Sequence, residues 1–422
     1  MKTKTNILCP ALAMVAVVGF ALVQNAPALN PPPDGGYPGG NTAEGQNALF
    51  SLTSGGYNTA VGWFSLRSDT TGNFNTAVGA ATLLANSGDE NTATGTAALL
   101  SNTTGNSNTA NGSQTLLKNT AGNFNTASGF EALYSNTTGD NNTASGYGAL
   151  VANIDGHYNT ANGVAALRNN MNGSDNTASG YVALYNNTTG VDNTAIGGSA
   201  LNANTTGFDN TAVGVNALVN STIGNGNIAL GVGAGDLVFT GTGVIAIGIG
   251  GADVDYSCFI GNIRGVTTAN ADAVPVVIDS GGQLGTQSSS ARYKKEIKPM
   301  NSASEAILGL KPVTFQYRSD TKDTPQFGLI AEEVAKVNPD LIVRDKNGQI
   351  YTVRYDAVNA MLLNEFLKEH RTVQDLKSAA AKHEAMIARQ QKQIESLTAG
   401  LHKVSAQLEA SRPEPHTVLN NR

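Results

Sequence analysis

"NTASGFEALYSNTTGDN", Asn125 to Asn141, is followed at Asn142 by the same phrase again, "NTASGYGALVANIDGHY". The unit N-T-A-x-G-x-x-A-L recurs from Asn41 to Asn210 in steps of 17 residues, with one step of 16 between Asn75 and Asn91. Weaker copies begin at Asn227 ("NIALG") and Val244 ("VIAIG"). Seventeen residues cannot bury a core alone, but stacked coils can, each pairing its backbone with the next. The pattern therefore predicts an all-β solenoid, a parallel β-roll, over residues 41–250, about 60 Å long at roughly 4.8 Å per coil.

Each unit is expected to supply a strand of about five residues, a short Ala-Leu segment and a turn such as "NTTG" closed by a glycine, as at Gly72, Gly105, Gly139 and Gly190. Leu49, Leu66, Leu83, Leu99, Leu116 and Leu133 would form one apolar ladder inside. Strand side chains alternate, so Thr and x share one face while Ala and Gly share the other. Thr becomes Ile228 and Ile245 in the last copies, which predicts a partly buried Thr face. A glycine repeated in a strand marks close backbone approach, and the Ala/Gly face is accordingly expected to meet parallel copies of the chain. Asn and Thr are read as laddering along the solenoid and satisfying its turns. Two other readings stay open for the Thr rows: ordering water as an ice-binding face does, or presenting hydroxyls and amides to a glycan.

The repeat resembles the "SVAIG"-type left-handed β-rolls in the heads of trimeric autotransporter adhesins. That resemblance implies a left-handed coil and three parallel chains.

Charge divides the chain. Residues 41–250 carry 11 Asp/Glu against 3 Lys/Arg, whereas residues 289–422 carry 16 against 20. Neither part has the dense basic patch that holds a phosphate backbone, so no nucleic-acid partner is expected. Lys2 and Lys4, the apolar run Ile7 to Val23, and Ala26-Pro27-Ala28 read as a signal peptide over residues 1–28; an uncleaved membrane anchor is the rival reading. Cleavage would leave Cys258 as the one cysteine, excluding an intrachain disulfide, and a mature chain with no membrane span. Residues 29–40 ("NPPPDGGYPGG" at their core) form a Pro/Gly-rich leader.

Residues 251–288 read as a β-type neck, with "DYSCFIGNIRG" and "VPVVIDSGGQLGT" as short strands between Gly turns. Beyond it the pattern becomes α+β. "EAILGLKPVTFQYR" predicts a helix and a strand, "QFGLIAEEVAKVNPDLIV" a strand, helix and strand, and "QIYTVRYDAVNAMLLNEFLKEH" a strand entering a long helix. Over residues 366–410 that helix carries a heptad row at Phe366, Val373, Ala380, Ile387, Ile394, Leu401 and Leu408. A second row at Leu362, Leu376, Leu397 and Val404 is interrupted by Glu369, His383 and Gln390. A coiled coil is expected, against the alternative of a helix folding back on its own domain. Residues 411–422 read as a disordered tail.

"SSSARYKKEI", "FGLIAEEV", "NPDLI" and "VRYDAV" followed by a long helix resemble the peptidase S74 family, the intramolecular chaperone domain of endosialidase tailspikes and phage fibres. The resemblance begins at Ser289 and places the chaperone domain at residues 289–365. It implies a homotrimer in which the domain assists fibre assembly and then cuts itself off, through a motif usually written S-D-x-R-x-K. Carried onto this chain, Ser289 is the nucleophile and Lys294 the base, with Arg292 at the arginine position. Ser290 stands where the family has aspartate. Chemistry gives the same pairing a rationale: a serine hydroxyl needs a neighbouring base, and a lysine serves only when neutral. Burial and nearby positive charge favour the neutral amine, and Arg292 and Lys295 would supply that charge.

No cofactor or metal is expected, since the five histidines are scattered and neither a Cys/His ligand spacing nor a G-x-x-x-x-G-K loop occurs. The whole reads as a secreted or cell-surface bacterial fibre, with surface glycans or host-cell receptors as the partner classes consistent with it. The alternatives are the same fibre with a non-cleaving chaperone domain, or a glycan- or ice-binding β-solenoid.

Overall fold

The computed structural model describes residues 37–412, so the signal-peptide reading and most of the leader and tail lie outside the described residues. The described residues divide into two compact units, the first ending at Thr267 and the second beginning at Thr268.

The first unit is a parallel β-solenoid. Strands β1 (Thr42–Glu44) through β13 (Ile245–Ile247), one per coil, and β14 (Cys258–Ile260) form one 14-stranded sheet in sequence order. Each Thr sits beside the next coil's Thr and each Ala beside the next Ala. The 16-residue coil keeps this register, Thr76 pairing with Thr92. Its missing residue falls in the turn, "NSG" at Asn86–Gly88 replacing "NTTG".

The strands are three residues long rather than five. The fifth residue of each repeat from Gly45 to Gly231 adopts φ between +118° and +142°, a region open to glycine that turns the chain out of the extended conformation. A Cβ on Gly129 would lie 2.6 Å from the Gly146 carbonyl oxygen of the next coil.

The core is the expected leucine column, joined by two columns of alanine. Leu66, Leu83, Leu99, Leu116 and Leu133 are fully buried, as are Ala60, Ala77 and Ala93 of the strands and Ala98 and Ala132 beside the leucines. Burying each leucine contributes roughly 1.5–3 kcal/mol. This reverses the expected facing of the strand. Ala points into the solenoid, and the glycine's close approach is to the next coil of the same chain rather than to another chain. Thr and x point outward, with Thr92, Thr109, Thr126 and Thr143 exposed.

Asparagine forms two further internal columns. Asn125 receives no water, yet every polar group on it is used. Its backbone N–H donates to Asn108 Oδ1 at 3.0 Å, and its Nδ2 donates to Asn108 Oδ1 at 3.1 Å and to the Gly139 carbonyl at 2.8 Å. Asn136 Nδ2 donates to Asn119 Oδ1 at 2.7 Å and to the same Gly139 carbonyl at 2.9 Å. Buried amides are tolerated on this condition.

In the second unit the sequence patterns appear in the expected order. A short hairpin pairs β15 (Val277–Ile278) with β16 (Leu284–Gly285). The expected first helix is a 3-10 helix, Asn301–Gly309, followed by β17 (Val313–Phe315), which pairs antiparallel with β18 (Gln326–Gly328). Helix α1 (Ala331–Val337) leads into β19 (Ile342–Arg344), antiparallel to β20 (Ile350–Val353), and then comes helix α2 (Tyr355–Ala410). Val334, Leu341, Val353 and Met361 are the small core.

Beyond Lys368 every residue of α2 is exposed. The helix does not fold back. Phe366, Val373, Ile387, Ile394, Leu401 and Leu408 stand open along one heptad register.

Candidate active site

Ser290 is extended, at φ −63° and ψ 136°, and its N–H donates to Ser288 Oγ at 3.2 Å. One 3-10 turn follows, Ala291–Tyr293. The Tyr293 N–H donates to the Ser290 carbonyl and the Lys294 N–H to the Ala291 carbonyl, both at 3.1 Å. The turn brings residues five apart in sequence to one side: Ser289 and Lys294 line the same open hollow, of about 620 Å³.

Ser290, Arg292 and Lys295 do not line it. The Arg292 guanidinium lies over the Tyr293 ring, 4.8 Å from its centroid. All five of these residues are exposed in the single chain.

The hollow is also lined by residues that the Ser/Lys motif does not include. Asp340, Arg354 and Asp356 line the hollow, as do Met300 and Met361. Asp340 is set by its N–H donating to Asn338 Oδ1 at 2.9 Å. Arg354 is set by its N–H donating to the Leu341 carbonyl at 2.8 Å and its Nη1 to the Asp340 carbonyl at 3.3 Å. A signal was present: these residues belong to "NPDLI" and "VRYDAV", two of the phrases that carried the resemblance. The hollow thus offers two serine hydroxyls, Ser288 and Ser289, two cationic side chains and two carboxylates, a set suited to proton transfer and to holding a polar backbone segment.

A second Ser–Lys cluster lies nearby in sequence and does a different job. Ser304 is fully buried, its hydroxyl donating to Glu365 and accepting from Asn364 Nδ2 at 2.7 Å. Lys368 Nζ donates to Glu365 at 2.7 Å and to Glu305 at 3.2 Å. These bonds, Glu365 first, hold the lysine above its ordinary pKa, while Lys368 and then Ser304 hold Glu365 below the usual carboxylate value. The same bonds fasten the 3-10 helix to α2.

Among the described residues no group of three or more His, Cys, Asp or Glu side chains could hold a metal ion. No described helix is long and apolar enough to cross a membrane.

No curated protein and no solved structure matches the chain. A family model described as chaperone of endosialidase, Peptidase_S74, matches residues 289–343, from Ser289 to β19.

Proposed function

We propose that the chain is an exported, homotrimeric fibre- or adhesin-like structural protein whose C-terminal domain brings three copies into register and then cuts itself free. The observation that carries this reading is the convergence of Ser289 and Lys294 on one hollow, at the first residue of a segment matching a chaperone family.

In the proposed reaction the neutral Lys294 amine takes the Ser289 Oγ proton as the oxygen attacks the carbonyl carbon of an adjacent peptide bond. The C–N bond breaks, the departing amine receives the proton from Lys294, and water hydrolyses the resulting ester to a carboxylic acid and free Ser289. Lysine is a base only when neutral, and desolvation favours that form. Lys294 is exposed in one chain, so burial has to come from other subunits, and cleavage then reports a completed trimer. The exposed heptad face of α2 supports the same assembly.

Each coil pairs within its own chain, but three chains must still meet in register, and chains that expose apolar surface before they meet are prone to misassembly. A C-terminal clamp supplies the register. Its removal afterwards leaves the fibre kinetically trapped.

Intact-mass measurement of the expressed chain, with Ser289→Ala and Lys294→Ala beside it, tests the proposal. Wild type should lose a fragment beginning or ending beside Ser289, and both variants should stay whole. A wild type that remains intact as an assembled trimer points instead to a chaperone that does not cleave, the reading that Ser290 in the aspartate position favours.

A further inference from the structure

The outward face of the solenoid sheet changes character along its length. In β4 (Thr92–Thr94) through β9 (Thr177–Ser179) the two outward residues of every strand are polar, with Asn111, Ser128, Ser145 and Asn162 beside the threonines. From β10 (Thr194–Ile196) to β14 the second outward column reads Ile196, Val213, Leu230, Ile247, Ile260, and the threonine column itself becomes Ile228, Ile245 and Cys258. Ile196, Ile228, Leu230, Ile247 and Ile260 are each between 36% and 50% exposed although the strands around them are fully paired. None of these five strands contains a charged residue, the acidic Asp209, Asp236, Asp253 and Asp255 of these coils lying in the segments between strands, and the strands extend about 20 Å along the stack.

We infer that the outward face of β10–β14 is where copies of this chain meet, while the face of β4–β9 stays in water. The inference rests on the trimer reading above and adds to it the surface of contact. Contiguous apolar surface of this extent marks an interaction site. Three features select a second copy of the chain as the occupant. The face is uncharged, so it offers nothing to steer or orient a charged partner. Its side chains repeat in straight columns with one layer per coil, so an identical parallel copy presents a matching spacing at every layer. The same chain carries an open heptad helix, and copies joined there face one another at high effective concentration. The apolar face also leads directly into residues 262–299, every one of which is exposed, Ile263 and Val266 among them. A stretch that buries nothing of its own is expected where other chains supply the cover.

The test uses the full chain in a Cys9→Ser background, which leaves Cys258, at an outward position of β14, as its one thiol. A bifunctional maleimide should link copies through Cys258. Leu230→Lys with Ile247→Lys should cut that linking at least about tenfold, because desolvating like charges opposes contact, while circular dichroism shows the coils intact. Ser128→Lys with Ser145→Lys should leave linking unchanged. A wild type that is trimeric by light scattering yet unlinked at Cys258, or linked equally in the Leu230/Ile247 variant, overturns the inference and leaves the trimer standing. Loss of linking in the Ser128/Ser145 variant overturns it too. A monomeric wild type overturns both this inference and the reading on which it rests.

Discussion

Asp69 and Asn86 stand one above the other in an internal column of the solenoid, the Asn86 amide donating to the Asp69 carboxylate at 3.3 Å. Asp69 is fully buried at a place where later coils carry Asn102, Asn119 and Asn136. Burial pushes its carboxyl above the ordinary value, against the opposing hydrogen bonds from Gly72 and Asn86.

Asp69→Asn should therefore stabilise the solenoid near neutral pH. The amide would regain a donor to the Gly72 carbonyl, as Asn102 has to Gly105 at 2.8 Å, on the order of 1 kcal/mol for one buried hydrogen bond. A carboxyl whose folded pKa is raised stabilises the protein below its unfolded pKa and loses that contribution as pH rises through the folded value. The advantage of Asp69→Asn should thus shrink on acidification toward pH 4 and grow toward pH 7. Thermal melts of both proteins across that range check it.

The other end of the column is left open. Asn204 Oδ1 and Ser221 Oγ are buried without a hydrogen-bond partner, because serine is too short to continue the amide ladder. Ser221→Asn should close it and raise stability by about 1 kcal/mol, read as a higher melting midpoint with no change in the circular dichroism spectrum.

Gly129→Ala should do the opposite. Its φ of +129° and the Gly146 carbonyl 2.6 Å from the added Cβ combine backbone strain with a clash against rigid main chain. A loss of at least about 2 kcal/mol is expected. Hydrogen exchange should locate it in the coils around β6 (Thr126–Ser128) and β7 (Thr143–Ser145).

Lys294→Met keeps the length of the side chain and removes the base, so cleavage beside Ser289 should slow by about 10²–10⁴-fold. Lys294→Arg should not rescue it, since guanidinium stays protonated. A gel time course of assembled protein distinguishes these outcomes from the full-rate cleavage that a solvated linker role for Lys294 would allow.

Much of the architecture was legible in one dimension. The step between Asn125 and Asn142 gave the coil, Leu116 and Leu133 gave its apolar column, and the glycine of "NTTG" gave its turn, because a solenoid writes each layer of its core at a fixed sequence interval. The order of elements around Ser289 was legible for a related reason, since helix and strand periods are local. What one dimension could not decide was which side of the short strand is inside. Alternation says that Ala127 and Thr126 face opposite ways, but only the closed coil, whose interior buries Ala127 and leaves Thr126 exposed, decides which way is in. Nor could it show that Asn108 and Asn125 are buried: an amide looks solvent-seeking until its partners are in place, and here they stand one coil away. The same holds for the hollow, where Asp340 and Arg354, distant in sequence, line the same space as Ser289 and Lys294.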